Sequence, residues 1–110
     1  MIYHPKQGDI VMMDFTPQAG HEQRGRRPAL VVSNSAFHRY TSMAIVCPIT
    51  NTDRDFPMHV TLDERTRTTG VILCEHVKSL DYMARNAVYT EEVPEDILQE
   101  VLERIRLSLE

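Results

Sequence analysis

Up to about residue 90, apolar positions come in short blocks separated by turn residues; beyond it they recur at helical spacing. Ile10 to Phe15 is apolar everywhere except Asp14, which predicts a strand covered on both faces. Ala29 to Ser33 predicts a second strand and Met43 to Thr50 a third. Met58 to Leu62 alternates, as a half-exposed strand should, with His59 between Met58 and Val60. Val71 to Val77 reads as a fifth strand, Ala87 to Tyr89 as a short sixth, and Ser35 to Arg39 as a single helical turn. From Pro94 the period changes. Ile97, Leu98, Val101, Leu102, Ile105 and Leu109 form one stripe, with Glu100, Glu103 and Arg104 on the other side. Pro94 suits a helix start, and Glu95 and Asp96 suit the positive end of its dipole. Many short strands closed by one amphipathic helix predict a mainly β single domain: a small curled barrel over about residues 8–90 and a C-terminal helix over about 94–109.

Composition narrows the function classes. The chain has 110 residues, enough for one core, with 42% hydrophobic and 25% charged residues. No apolar run approaches the roughly 18 residues of a membrane helix, and the N-terminus lacks a signal-peptide core, so a cytoplasmic location is expected. Cys47 and Cys74 lie in apolar runs without metal-ligand spacing and read as buried thiols. The net charge of −4 argues against a protein that coats nucleic acid nonspecifically. Much of that acidity lies in residues 91–110, which leaves a body close to neutral or slightly basic, with Arg24, Arg26 and Arg27 clustered.

The segment from Gly20 to Pro28 stands out against this ordinary background. Gly20, Gly25 and Pro28 supply turn chemistry, but His21, Glu22, Gln23, Arg24 and Arg27 exceed what a turn requires. Imidazole, carboxylate and guanidinium groups a few residues apart can bind a phosphate and move protons around it. Pro28 biases Arg27 toward an extended backbone, from which its planar fork can meet phosphate oxygens. Thr50 closes the third strand, where a hydroxyl either caps the turn or donates to a ligand. Glu75 shares a face with Val71 and Leu73 if the strand is regular, and a half-buried carboxylate there needs a partner, most simply an Arg. His76 then faces the other way. His4, His38 and His59 show no ligand spacing, and no metal or cofactor motif is present.

The order Gly8-Asp9-Ile10, Gly20-His21-Glu22-Gln23, Arg27-Pro28, Pro48-Ile49-Thr50, Thr69-Gly70-Val71 and Glu75 with Lys78-Ser79 resembles the MazF/PemK family of toxins from bacterial toxin–antitoxin modules. The likeness spans the whole chain. It implies an SH3-like barrel with a C-terminal helix, a homodimer, and a metal-independent endoribonuclease that cuts single-stranded RNA to a 2′,3′-cyclic phosphate and a 5′-hydroxyl. It also implies a cognate antitoxin whose acidic tail occupies the RNA groove. By analogy His21, Glu22, Arg27, Thr50 and Glu75 fall on motif positions tied to catalysis or RNA binding. The chain departs from some members in carrying Leu73 where they have Arg, and Glu75 where they have Asp.

On this reading the RNA's own 2′-hydroxyl is the nucleophile. Arg27 clamps the scissile phosphate, Thr50 donates a hydrogen bond, and Glu75 or His21 handles protons; alternatively Glu75 orients Arg27. Glu22, Gln23, Arg24, Asn34 and Lys78 are expected to contact RNA. Two other readings fit the same residues: a barrel that binds without cutting, and a family relative that acts on DNA gyrase.

Overall fold

A computed structural model describes residues 2–15, 25–52 and 56–110. Among them the chain forms strands β1 (Asp9–Asp14), β2 (Arg26–Val31), β3 (Met43–Thr50), β4 (His59–Thr61), β5 (Val71–Leu73), β6 (Lys78–Asp81) and β7 (Val88–Glu92). Two helices, α1 (Ser35–Arg39) and α2 (Glu95–Ser108), complete it. All pairings are antiparallel, in the order β4-β5-β3-β2-β1-β7, with β6 also on β3.

The two faces of this curled sheet carry different cores, and strand alternation sorts residues between them. On one face Ile10, Leu30, Cys47, Ile49, Val60 and Ile72 pack with Ile97, Leu98 and Val101 of α2. Each fully buried aliphatic side chain there contributes about 1.5–3 kcal/mol. On the other face Val11, Met13, Phe15, Ala29, Val31, Ala44 and Val46 pack with Tyr82. β1 feeds both, which explains its nearly unbroken apolar run.

β3 and α1 take the bounds expected for them, and α2 falls within one residue of its own. β2 begins three residues earlier than the apolar pattern suggests, because Arg26, Arg27 and Pro28 pair with Asp14, Met13 and Met12. The larger correction concerns Val71 to Val77. The strand stops at Leu73, Cys74–His76 form a 3-10 turn, and a new strand starts at Lys78. β3 is the cause: along the same edge its Ile49 and Thr50 pair with β5, while Met43 to Val46 pair with β6. The chain breaks between these two ladders, and the turn carries Glu75.

Two side-chain networks hold the ends down. At the N-terminus the Tyr3 hydroxyl and the Lys6 backbone N–H donate to the buried carboxylate of Asp9. Burial and then the Asp9 hydrogen bond push the Tyr3 phenol well above its usual range. His38, also buried, bonds the Pro5 carbonyl through Nδ1 at 2.9 Å and Ser33 Oγ through Nε2 at 2.5 Å. A carbonyl only accepts, so Nδ1 carries the hydrogen and Ser33 donates to Nε2. Ser33 Oγ in turn accepts from the Ile45 N–H at 2.9 Å.

At the other end Arg65 forks onto Asp63 and Asp96, joining the turn after β4 to the start of α2. Glu91 accepts from Arg67 N, Thr68 N and Thr68 Oγ1. Part of the C-terminal acidity is therefore spent on holding this turn.

Candidate active site

β-sheet register determines which polar groups share a surface. Thr50 lies opposite Val71, and Val71 opposite Thr61; one step along, Leu73 lies opposite His59. Directly opposed residues in an antiparallel pair point to the same face. Ala29 is opposite Pro48, two residues from Thr50, and Arg27 precedes Ala29 by two. Val46 is opposite Lys78. Arg27, Thr50, His59 and Lys78 therefore all belong to the face turned away from α2, and the 3-10 turn brings Glu75 to the same surface.

Arg27, half-buried on β2, sits opposite Met13. Thr50 is buried at the end of β3, where its Oγ1 accepts from the Thr52 N–H at 3.2 Å. That bond occupies the oxygen as an acceptor and leaves the hydroxyl hydrogen for another partner. Lys78 stands at the start of β6 with its Nζ 5.9 Å from the centre of the Phe15 ring. Asn34 caps α1 by accepting from the Phe37 N–H at 3.1 Å, which accounts for it as a helix cap. His21, Glu22, Gln23 and Arg24 lie outside the described residues.

Glu75 departs from expectation in its surroundings. It keeps its proximity to the Leu73 side, but on a turn rather than a strand, and its side chain is 28% exposed. The ion-pair partners of Glu75 among the described residues are imidazoles, where an Arg was expected. His59 Nε2 approaches Oε2 to 2.9 Å, whereas His76 Nε2 stays 3.9 Å away. His76 thus also turns toward Glu75, since the 3-10 turn abolishes the alternation that would have set them apart.

Gly70 is the central residue of the Thr69-Gly70-Val71 motif. Its φ is +113°, and a Cβ there would stand 2.3 Å from the Thr50 carbonyl oxygen. No other residue lets β5 approach Thr50 this closely. Thr69 adds a hydrogen bond from Oγ1 to Asn51 Oδ1 at 2.9 Å. The end of β3 is thereby clamped from the β5 side. Among the described residues no three His, Cys, Asp or Glu side chains converge in a way that could hold a metal ion, and no helix is long and apolar enough to cross a membrane.

This arrangement offers a cation, a hydroxyl donor and an exposed carboxylate along one surface. Such a set can bind a phosphodiester and accept a proton from a neighbouring hydroxyl. The family profile of PemK-like, MazF-like toxins of type II toxin–antitoxin systems matches residues 6–109. Endoribonuclease PemK of Escherichia coli is 41% identical, over 94% of this chain and 81% of that one. The crystal structure of MazF from Deinococcus radiodurans superposes with a TM-score of 0.93 at 42% identity, covering 98% of both chains. A MazE-MazF structure from the same organism gives a TM-score of 0.87 at 42% identity, covering 98% of this chain and 97% of that one.

Proposed function

Because the chain belongs to the PemK-like, MazF-like toxin family, we infer that it is the endoribonuclease toxin of a type II toxin–antitoxin system, cutting single-stranded RNA and so inhibiting translation and growth. The relatives' names give the activity, and the shared face of Arg27, Thr50 and Glu75 supports a specific chemistry for it. The 2′-oxygen attacks the adjacent phosphorus. A 2′-O–P bond forms, the P–O5′ bond breaks, and the products are a 2′,3′-cyclic phosphate and a 5′-hydroxyl.

Each group has one task. Arg27 holds the non-bridging oxygens and offsets the charge that builds on them, a role suited to a side chain that does not give up its proton. Thr50, whose oxygen already accepts from Thr52, donates its hydrogen to the same phosphate. Glu75 takes the 2′-hydroxyl proton, being a carboxylate with one oxygen held and its side chain partly exposed. His21 returns a proton to the departing 5′-oxygen. Glu22, Gln23, Arg24, Asn34 and Lys78 contact neighbouring bases and phosphates. No step calls for a metal or cofactor. The protein acts as a cytoplasmic homodimer and is silenced by a cognate antitoxin whose acidic segment lies over Arg27; a MazE-MazF structure from Deinococcus radiodurans supports the pairing with an antitoxin.

The observation that carries the reading is the register that sets Arg27 and Thr50 on one face beside Glu75. The test is incubation of pure protein with a mixed single-stranded RNA pool in EDTA, followed by sequencing of the fragments' 5′ ends. Discrete cuts at a short shared sequence support it. Binding without scission would assign a non-catalytic module instead. Inhibition of DNA supercoiling with RNA left intact would assign a gyrase-directed relative.

A further inference from the structure

We propose that His59 is the positioning residue for Glu75: it donates its Nε2–H to Oε2 and thereby presents Oε1 to the 2′-hydroxyl. The inference rests on the assignment of Glu75 as proton acceptor and adds a residue that neither the sequence motifs nor the family likeness singles out. A carboxylate accepts only, so at 2.9 Å the hydrogen belongs to His59 Nε2. His76, at 3.9 Å from the same oxygen, is beyond hydrogen-bond range and cannot take its place.

Burial separates the two roles. The His59 side chain is 8% exposed and that of Glu75 is 28% exposed, so the imidazole stands behind and the carboxylate in front. The imidazole also has an aromatic neighbour. Phe56 meets it edge-on, with ring centroids 5.5 Å apart and planes at 79°. The backbone of β4 fixes His59 opposite Leu73, on the face that carries Thr50 and Arg27. Glu75 needs such a support because it stands on a three-residue 3-10 turn between two short ladders rather than on a strand. A base held in one orientation by a buried partner spends less of the barrier on finding its geometry. Short alternating strands gave the position: His59 and Thr61 share one side of β4, and only the pairing of β4 with β5 shows what that side adjoins.

The test is a double-mutant cycle on a cleavable RNA oligonucleotide with the full chain, combining His59→Phe, which keeps a ring against Phe56 and removes the donor, with Glu75→Gln. His59→Phe should lower kcat roughly 10- to 100-fold with KM within about threefold. His59→Gln, which restores an N–H near Nε2, should recover kcat to within about threefold of wild type. In the Glu75→Gln background His59→Phe should change the rate less than about twofold, because the group it positions is gone. Equal losses in both backgrounds, wild-type kcat for His59→Phe, or a loss confined to KM would each overturn the proposal. Melting curves guard against misfolding; if His59→Phe melts early, His59→Leu takes its place in the same cycle. A wild-type rate for Glu75→Gln alone would instead remove the assignment of Glu75, and absence of cutting by wild type would remove the ribonuclease reading.

Discussion

Two histidines of this protein sit in hydrogen-bonded networks and do different work. His38 sits at 8% exposure between a backbone carbonyl and a serine hydroxyl, both enclosed. His59, only partly buried as a residue, bonds a carboxylate that reaches solvent. Around His38 every polar group is consumed in tying the N-terminal segment, α1 and β3 together. Around His59 the network ends in an oxygen that a substrate can reach. The chemistry of a site thus lies less in the imidazole than in whether its partner faces outward. Mutations at the two places should separate into losses of stability and losses of rate.

The largest effect is expected at Arg27. Arg27→Ala should cut RNA about 100- to 1,000-fold more slowly, the scale of removing one donor to a developing oxyanion, while its melting temperature stays near wild type. Cutting at the wild-type rate would dismiss Arg27 as the phosphate clamp.

Gly70→Ala should cross the divide and harm both. The left-handed φ and the close approach to Thr50 together should cost about 1–3 kcal/mol in urea unfolding, and the displaced Thr50 should lower kcat as well. Unchanged stability would mean that β5 can yield without strain.

His38→Ala should behave as the inverse of Arg27→Ala. It strands the Ser33 hydroxyl and the Pro5 carbonyl, at about 1–3 kcal/mol of unfolding free energy, yet the folded fraction should cut RNA at the wild-type kcat. A selective loss of kcat would place His38 in the site after all.

The smallest effect is on acid stability. Burial raises the Glu91 carboxyl, but hydrogen bonds from Thr68 and Arg67 outweigh it and leave the group below its usual range. Hydrogen bonds from Arg65 likewise lower Asp63 and Asp96. A carboxylate lowered on folding contributes stability above its unfolded value, about 4, and that contribution fades as pH falls through the folded value. Stability should therefore decline below about pH 4, and Glu91→Gln should flatten the decline without changing kcat at pH 7. An unaltered acid limb would show that these bonds do not bear on folding.

Local pattern made most of the frame legible. Met43 to Thr50 is an apolar run bounded by Asn51 and Thr52, and the stripe from Ile97 to Leu109 follows one helix face, so both elements appear in the sequence much as they fold. The break at Cys74 was not legible, since Val71 to Val77 contains no turn residue and only the switch of partners along β3 ends the strand. The link between His59 and Glu75 was hidden for a related reason: it spans 16 residues and depends on β4 lying on β5. Glu91 and Asp96 read simply as part of the acidic C-terminal segment, because their partners Thr68 and Arg65 come from a turn distant in the chain. The roles proposed for His21, Glu22, Gln23 and Arg24 rest on sequence and family likeness.

The most direct measurement pairs two oligonucleotides that differ at one atom, the 2′-oxygen of the nucleotide before the cleaved bond, each incubated in EDTA with the toxin free of any antitoxin. The ribose version should be cut to a cyclic phosphate and the deoxyribose version should survive. Scission of the deoxyribose version at a similar rate would mean that water or a protein group attacks the phosphorus, and the self-attack chemistry assigned to Arg27, Thr50 and Glu75 would be wrong.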